Sequence, residues 1–318
     1  MIDQVPPVVV ITGPTASGKS AVAVELALMM QGEIVSADSM MVYRGMDIGT
    51  AKPTISDMKG IPHHMTDILS PDQDFSVASY KEQAVSLITE ILNRGRLPVL
   101  AGGTGLYIKA LVRGIVYSPA AVCPDIRERL KAESQDLGDE LMHRRLVGID
   151  PESAVRLHVN DRKRVLRALE VYLSTGITQT EHDRRSQKDP GPFHYRVFGL
   201  RTDRARLYDR INKRVDDMMR SGLLQEVIQL RNQGYLQPGT TAAQAIGYKE
   251  LVRYLDGNGS LNDAVEQIKM QTRRYAKRQM TWFNHMEEVE WLDVQAMDDA
   301  RTIARNIQKE LHSSSRKV

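Results

Sequence analysis

The sequence of 318 residues has a single cysteine, Cys123, and lacks a long hydrophobic run near its amino terminus. A lone thiol cannot form an intrachain disulfide, and without a Cys-x-x-Cys pair it cannot anchor a structural zinc or iron–sulfur site. The apolar run from Val8 to Ile11 is too short for a signal peptide or a membrane span. We therefore expect a soluble, unprocessed cytoplasmic protein that does not associate with membranes.

Neither sign of charge dominates, because 43 Lys and Arg residues stand against 40 Asp and Glu residues and leave a net charge of +3. This total is too mild to indicate a nucleic-acid-binding protein. The distribution is more informative, since basic residues concentrate in Arg156 to Arg167, Arg196 to Arg214 and Arg273 to Arg278. A hydrophobic content of 42% argues against wholesale disorder.

The first hundred residues have the pattern of an α/β protein. A strand from Val8 to Ile11, a glycine-rich turn, a helix from Ala21 to Met30 and a strand from Glu33 to Ala37 form a βαβ unit, which predicts a parallel sheet. Ser76 is the predicted N-cap of a helix that runs to Asn93, and Leu97 to Ala101 is predicted to be another buried strand.

Beyond Pro124, strand-like runs give way to amphipathic stretches, which predict a helical insertion with helices at 126–134, 141–146 and 163–174 that closes in the polar stretch 180–192. The chain then returns to the core, with a strand at 195–200, helices at 204–219, 223–232, 243–254 and 261–284, a strand at 289–292 and a last helix to about residue 311. We therefore predict an α/β core in two parts, 1–118 and 195–312, an insertion domain at 119–194 and a flexible tail at 313–318.

The segment GPTASGKS matches the P-loop pattern G-x-x-x-x-G-K-[ST] between a predicted strand and a predicted helix. Backbone N–H groups and the helix N-terminus would face phosphates, Lys19 would add a charge, and the Ser20 hydroxyl would join a Mg²⁺ shell. We assign phosphate binding to Gly13, Pro14, Thr15, Ala16, Ser17, Gly18, Lys19 and Ser20. The predicted fold class is thus α/β, with a P-loop NTPase-like parallel sheet core and a helical insertion domain.

Asp38 directly follows the second predicted strand, at the edge of the sheet where ligands of open α/β sheets bind. Three interpretations are open: a Mg²⁺ ligand, a general base toward a nucleophile, or a solvated loop residue. The strand ending at Ala101 is followed by Gly102-Gly103-Thr104-Gly105 instead of an acidic residue. The Walker B carboxylate of ordinary NTPases is therefore missing there.

The loop from Asp38 to Pro53, DSMMVYRGMDIGTAKP, is polar and broken by glycines, as active-site loops often are. Together with GPTASGKS, AGGTGLYIKAL, RALEVYLSTG, AIGYKEL and KRQMTWF, it closely resembles the bacterial tRNA dimethylallyltransferase (tRNA isopentenyltransferase) family over about residues 8 to 293. Members of that family transfer a dimethylallyl group from dimethylallyl diphosphate to N6 of adenosine 37 in tRNAs that read codons beginning with U. The resemblance implies this activity, dependence on Mg²⁺, and a P-loop that holds diphosphate.

The resemblance also implies individual catalytic roles. Asp38 would accept the proton of the N6 amine, and Thr15 and Lys19 would contact the diphosphate. The Ser20 hydroxyl would bind Mg²⁺, and Arg214 would neutralise the charge of the leaving group. From the residues alone, the helix that carries Arg214 is better explained as a solvated basic helix whose arginines pair with Asp203, Asp209 and Asp217, and only the resemblance favours a functional Arg214.

A further set of residues would face the tRNA. The insertion domain would contact the anticodon stem-loop. The resemblance implies this set to be Asp38, Ser39, Met40, Met41, Thr104, Arg127, Lys163, Arg164, Val165, Leu166, Arg167, Gln244, Ala245, Ile246, Gly247, Tyr248, Lys249, Lys277, Arg278, Gln279, Met280, Thr281, Trp282, Phe283 and Asn284. Cations beside aromatics suit phosphate contact and base stacking, although Trp282 and Phe283 are as readily explained as core residues. We expect tRNA and dimethylallyl diphosphate as partners, and a monomer.

Two other functions remain open at this point. One is a small-molecule kinase on the same fold, with Asp38 as metal ligand or base, and the missing Walker B carboxylate argues against it. The other is an RNA-binding module whose P-loop is a regulatory nucleotide switch. The adjacent pair His63 and His64 cannot easily ligate one ion from a regular element, so we assign no zinc and predict a structural loop there.

Overall fold

The computed structural model describes residues 7–115, 124–187, 191–294 and 298–314. The chain divides into two compact units, the first formed by residues 1–108 with 193–318 and the second by residues 109–192. The second unit begins at 109, whereas the sequence pattern put the start of the insertion at 119. Cys123 and residues 315–318 of the predicted tail lie outside the described residues, while 313 and 314 belong to the last helix.

A six-stranded sheet forms the centre of the first unit, and its described strands all pair in parallel, as predicted. The next three strands in sequence lie to one side of the first strand within the sheet, and the last two lie to its other side. Strand order therefore reverses beside the first strand, and ligands of such sheets bind at the carboxyl ends of the strands at this point. The strands are β1 (Val8–Thr12), β2 (Gly32–Ser36), β3 (His63–His64), β4 (Leu97–Ala101), β5 (Tyr195–Arg201) and β6 (Val289–Asp293), in the spatial order β3-β2-β4-β1-β5-β6.

Helices cover the sheet and bury its β-branched strands. On one face, α1 (Lys19–Met30) and α14 (Ala300–Ser314) pack over a core that includes Val9, Leu26, Phe198 and Ile307. α3 (Val77–Asn93) packs against β2 and β4, and the Oγ of its predicted N-cap, Ser76, accepts a hydrogen bond from Ser79 N. The short helices α2 (Ile55–Met58) and α4 (Gly105–Val112) follow β2 and β4 along the chain.

A second apolar core holds the loop that follows β2. Four helices surround it, and Val42, Tyr43 and Met46 of the loop are fully buried among them. The loop is polar over much of its sequence, yet these three apolar side chains fix it to the helical layer. The four helices are α10 (Arg204–Arg220), α11 (Leu223–Asn232), α12 (Tyr248–Leu255) and α13 (Leu261–Asn284).

The prediction of one helix over 243–254 is wrong in its first half. A single 3₁₀ turn covers Ala242–Gln244, and α12 starts only at Tyr248. Gly247 has φ +98°, a value that lies outside helical geometry and that glycine adopts most readily. Residues 245–247 therefore form a bend, which is called the 245–247 bend below.

The second unit is helical, as predicted, around a core that includes Leu130, Leu146 and Leu169. The second unit ends at Pro192, within the stretch 180–192 where the insertion was predicted to close, and helix α9 (Gln179–Gln187) covers the first part of that stretch. The sequence of α9, QTEHDRRSQ, has no apolar stripe, and the buried Asp150 carboxylate accepts hydrogen bonds from Thr180 N and Oγ1 at 3.0 and 2.6 Å. The helices are α5 (Pro124–Leu137), α6 (Asp139–Ile149), α7 (Pro151–Arg156), α8 (Arg162–Thr175) and α9 (Gln179–Gln187).

His63 and His64 form strand β3, so the predicted loop is wrong there. His64 Nε2 lies 2.8 Å from the Glu33 carboxylate, and His63 Nδ1 lies 2.8 Å from the Ile61 carbonyl oxygen. Across the described ranges, no group of three His, Cys, Asp or Glu side chains is arranged to hold a metal ion. Within the same ranges, no helix is long and apolar enough to cross a membrane.

Candidate active site

The P-loop joins β1 to α1 in a conformation that depends on its glycines. Gly13 has φ +140° and Gly18 has φ +93°. A Cβ on Gly13 would lie 2.7 Å from the Leu200 carbonyl oxygen, so a larger residue would not fit. Because α1 begins at Lys19, its first turn presents N–H groups that have no intrahelical partner, and the helix dipole favours an anion there.

Lys19, Asp38 and Arg214 form the charged centre of the site. Burial lowers the pKa of Lys19 to about 8; the Asp38 carboxylate opposes this shift and Arg214 adds to it. Burial also lowers the pKa of Arg214, and Asp38 again opposes the shift. The Asp38 carboxylate thus acts electrostatically on two half-buried cations. The excess positive charge suits a polyanionic ligand such as a diphosphate.

Asp38 leaves the sheet immediately after β2, next to the turn that follows β4. Ser39 N donates a hydrogen bond to Thr104 Oγ1 at 3.0 Å, which ties the two turns together. A Cβ on Gly102 would lie 2.2 Å from the Ala37 carbonyl oxygen. Close backbone packing between the glycine-rich turn and Ala37 therefore fixes the start of the loop that carries Asp38.

Gln279 on α13 connects the P-loop to the same turn. Its buried side chain accepts a hydrogen bond from Thr15 N at 2.8 Å and donates one to the Gly103 carbonyl oxygen at 2.9 Å. A Cβ on Gly103 would lie 2.2 Å from Gln279 Nε2, and a Cβ on Gly105 would lie 2.2 Å from Trp282 Cδ1. Because these two positions have no side chain, Gln279 and Trp282 of α13 can pack directly against the backbone of the turn. Helix α13 thereby connects the P-loop to the turn that follows β4.

Two cavities adjoin at Arg214, which lines both. The P-loop cavity has a volume of about 470 Å³, and its charged lining has more cations than carboxylates: Lys19, Lys52, Lys59 and Arg214 against Glu25 and Asp57. The Asp38 pocket has a volume of about 310 Å³ and places Asp38, Thr15 and Arg214 beside the apolar side chains of Val215, Met218, Leu223, Ile246 and Ile268.

Several lining residues of the Asp38 pocket carry no local signal in the sequence. The 245–247 bend supplies part of the wall; the resemblance placed its residues at the tRNA-facing surface, but Gly247 is the only local sign of a bend there. Thr50, Met218 and Tyr275 also line the pocket. They come from a loop and two helices distant in sequence, so only the fold shows that they share one cavity.

The residues predicted to face tRNA differ in exposure and divide between the two units. Those with buried side chains or backbone are Val165, Ala245, Gly247, Tyr248, Gln279 and Phe283. The others are half-buried or exposed: Asp38, Ser39, Met40, Met41, Thr104, Arg127, Lys163, Arg164, Leu166, Arg167, Gln244, Ile246, Lys249, Lys277, Arg278, Met280, Thr281, Trp282 and Asn284. Of the whole set, Arg127 and residues 163–167 belong to the second unit.

The second unit carries its own basic groove, with a volume of about 550 Å³. Arg127 and Arg167 line it, and both pair with the buried Glu170 carboxylate, at 3.2 and 3.0 Å. Lys131 and Lys163 line the same groove. A concave surface with this charge is suited to a nucleic-acid backbone.

The parallel sheet, the P-loop and the two cavities define a class of protein: a P-loop α/β protein that can hold a phosphorylated compound beside a partly apolar pocket containing a carboxylate. A model of the IPP transferase family matches residues 41–286. The chain belongs to this family.

Relatives and solved structures agree with that membership. The chain is 49% identical over 301 residues to the tRNA dimethylallyltransferase of Pelotomaculum thermopropionicum, with 95% of each chain covered. A crystal structure of the full-length tRNA isopentenylpyrophosphate transferase from Bacillus halodurans has a TM-score of 0.71 at 43% identity, covering 97% of this chain and 98% of that one. A eukaryotic dimethylallyltransferase acting on tRNA has a TM-score of 0.85 at 30% identity, covering 98% and 81%.

Proposed function

We propose that this protein transfers a dimethylallyl group from dimethylallyl diphosphate to N6 of an adenosine in tRNA and releases diphosphate. The observation that carries the proposal is the arrangement around Arg214. On one side lies the cationic P-loop cavity, which suits the diphosphate, and on the other lies the Asp38 pocket, which suits a short prenyl chain and an adenine amine. The names of the relatives support the same reaction.

The chemistry explains why both cavities are needed. The N6 nitrogen forms a bond to C1 of the dimethylallyl group, the C1–O bond breaks, and diphosphate leaves with the bonding electron pair. The adenine amine is a poor nucleophile, because its lone pair is delocalised into the ring. Asp38 accepts the N6 proton, while Lys19, Arg214 and the Thr15 side chain stabilise the growing negative charge.

We also propose that Mg²⁺ assists the departure of the diphosphate. The Ser20 hydroxyl fits such an ion, since it lies at the exposed start of α1 and lines the P-loop cavity. Magnesium is commonly held by few protein ligands, with water and substrate phosphate oxygens completing its shell. Ser20 would hold the ion, and the ion would supply positive charge at the leaving group.

The proposed target is adenosine 37 of tRNAs that read codons beginning with U, in the cytoplasm. The basic groove of the second unit and the exposed cations Lys277 and Arg278 support binding to the anticodon stem-loop through its phosphates. The alternatives of a small-molecule kinase and of an RNA-binding switch have no counterpart among the relatives described above.

The decisive experiment is mass spectrometry of nucleosides from unmodified tRNA incubated with the protein, Mg²⁺ and dimethylallyl diphosphate. We expect a prenylated adenosine, and we expect none when Mg²⁺ is chelated. A parallel incubation with ATP and no prenyl donor tests the kinase alternative. If the γ-phosphate of ATP is transferred to an acceptor in that incubation, and no prenylated adenosine forms in the first one, the proposed function is wrong and the protein catalyses phosphoryl transfer.

A further inference from the structure

Glu226 on α11 makes an unusual set of contacts with the loop that follows β2. Its Oε2 accepts hydrogen bonds from Asp47 N at 3.0 Å and Ile48 N at 2.7 Å. Its Oε1 accepts one from Gly49 N at 3.1 Å and one from the Tyr248 hydroxyl at 2.6 Å. Three consecutive backbone N–H groups therefore converge on one carboxylate, which also holds a tyrosine of α12.

The same contacts define one wall of the Asp38 pocket. Gly49 and Tyr248 both line that pocket, and a single oxygen of Glu226 joins them. The two residues are in tight contact, because a Cβ on Gly49 would lie 2.4 Å from Cε2 of the Tyr248 ring. Their spacing therefore depends on the carboxylate that holds both.

Tyr248 of this wall is part of the apolar lining of the pocket. Tyr248 belongs to the same buried apolar cluster as Val215, Leu223 and Ile268, which also line the pocket. Asp38 and Arg214 line the same pocket. A chain attached to a diphosphate near Arg214 would extend toward the apolar cluster and meet the wall there.

The chemistry of Glu226 is specific to a carboxylate. All four of its partners donate, and burial together with the neighbouring Glu226 charge raises the pKa of Tyr248, which keeps its hydroxyl protonated. An ionised carboxylate only accepts hydrogen bonds, whereas glutamine would turn an NH₂ group toward donors. Glutamine would keep the shape of the side chain but would accept fewer of these four hydrogen bonds, so Gly49 and Tyr248 would be held less firmly.

Resting on the proposed function, we propose that Glu226 is a positioning residue that fixes the wall formed by Gly49 and Tyr248 and thereby sets the length of prenyl chain the pocket accepts. Glu226 itself acts through these two residues and touches no substrate. A loosened wall would admit a longer chain and would hold the five-carbon chain less well.

The test compares kcat/KM for dimethylallyl diphosphate and for the ten-carbon geranyl diphosphate, with tRNA as acceptor, in wild type, E226Q and Y248F. We expect E226Q to shift the ratio of the two values about tenfold toward the longer donor, the equivalent of one charge-assisted hydrogen bond. Y248F keeps the ring and the three backbone contacts, and we expect a smaller shift of about threefold, because only one of the four hydrogen bonds is lost and the carboxylate still holds the loop. The matched control is E266Q, an exposed carboxylate of α13 paired with Lys269, which should leave the ratio unchanged.

The readout separates a positioning role from a purely structural one, because a smaller folded fraction lowers both values equally and leaves their ratio constant. If E226Q does not fold, as judged by thermal melting, Y248F alone decides. An unchanged ratio in the folded variants, with an active wild type, overturns this inference alone. A wild type that transfers neither chain to tRNA overturns the proposed function and this inference with it.

Discussion

The P-loop cavity and the Asp38 pocket share Arg214, yet they are built from different kinds of parts. The P-loop cavity is lined mainly by two segments, residues 16–25 of the P-loop and α1 and residues 51–59, and glycines with positive φ shape the P-loop so that its backbone and the first turn of α1 face the cavity. The Asp38 pocket is made by side chains from several distant segments, and hydrogen bonds of the buried Gln279 and the half-buried Glu226 connect those segments.

The two cavities therefore differ in which substitutions they tolerate. A phosphate site formed by backbone N–H groups tolerates most side-chain substitutions, but it depends on its glycines and on its nearby positive charges. A pocket assembled from distant side chains depends on the groups that tie them together, because an unpaired buried donor or acceptor is costly. Variants should therefore separate the two regions, with one affecting diphosphate binding and the other affecting the chemical step and the fit of the chain.

The largest effect is expected from Asp38→Asn in the Asp38 pocket. Asn preserves the shape and can still accept the hydrogen bond from Met40 N, which lies 2.9 Å from Asp38 Oδ1, but it cannot take the N6 proton. We expect turnover to fall about 10²-fold or more, as for loss of a positioned base, with tRNA affinity nearly intact. Single-turnover kinetics and a tRNA binding assay measure the two quantities. Turnover within a few-fold of wild type would rule out Asp38 as the base.

The contrast between the cavities also explains what could be predicted from the sequence. The P-loop, the strand before it and the helix after it form a continuous pattern, and α13 is bounded as predicted because Ser260 is its N-cap. Glu226 lies far in sequence from the loop that it holds, and Gln279 lies far from Thr15, so no local pattern signals these contacts. The 245–247 bend was missed because its neighbours are good helix formers.

Arg214→Ala removes the residue that both cavities share. We expect kcat/KM for dimethylallyl diphosphate to fall about 10- to 10²-fold, because a charge-assisted contact to the leaving group is lost, while tRNA affinity changes little. The matched control is Lys213→Ala, the exposed neighbour on α10, which should behave like wild type. A variant that loses tRNA binding but keeps diphosphate binding would assign Arg214 to the RNA side instead.

The pH dependence of diphosphate binding tests the P-loop cavity alone. With a pKa of about 8, Lys19 in the free protein is about nine-tenths charged at pH 7 and about one-tenth charged at pH 9. We expect the Kd of inorganic diphosphate to rise by up to about tenfold per pH unit above 8, and this rise to be absent in Lys19→Arg, whose charge persists. Diphosphate titrates equally in both experiments, so the difference between the two profiles, measured by calorimetry, isolates Lys19.

Stability should move in the opposite direction from affinity. The folded pKa of Lys19 lies below its ordinary value of 10.5, so the unfolded chain binds more protons between about pH 8 and that value. The contribution of Lys19 to the free energy of unfolding therefore increases as pH rises through this window, and its destabilising effect is complete below pH 8. Chemical denaturation of wild type and Lys19→Met at several pH values measures this contribution. Parallel trends in affinity and stability would show that the pH effect belongs to another group.

The smallest effect is expected at the rim of the Asp38 pocket, where the exposed Arg278 lies 5.8 Å from the centroid of the Tyr275 ring. If Arg278 contacts one tRNA phosphate, Arg278→Gln should reduce the slope of log affinity against log salt by about 0.7 to 0.9, whatever the tRNA sequence. Arg305→Gln, at an exposed position on α14, should leave the slope unchanged. An unchanged slope with a raised KM for dimethylallyl diphosphate would instead make Arg278 part of the pocket, because a residue that shapes the pocket alters the fit of the donor and displaces no counterions from the RNA.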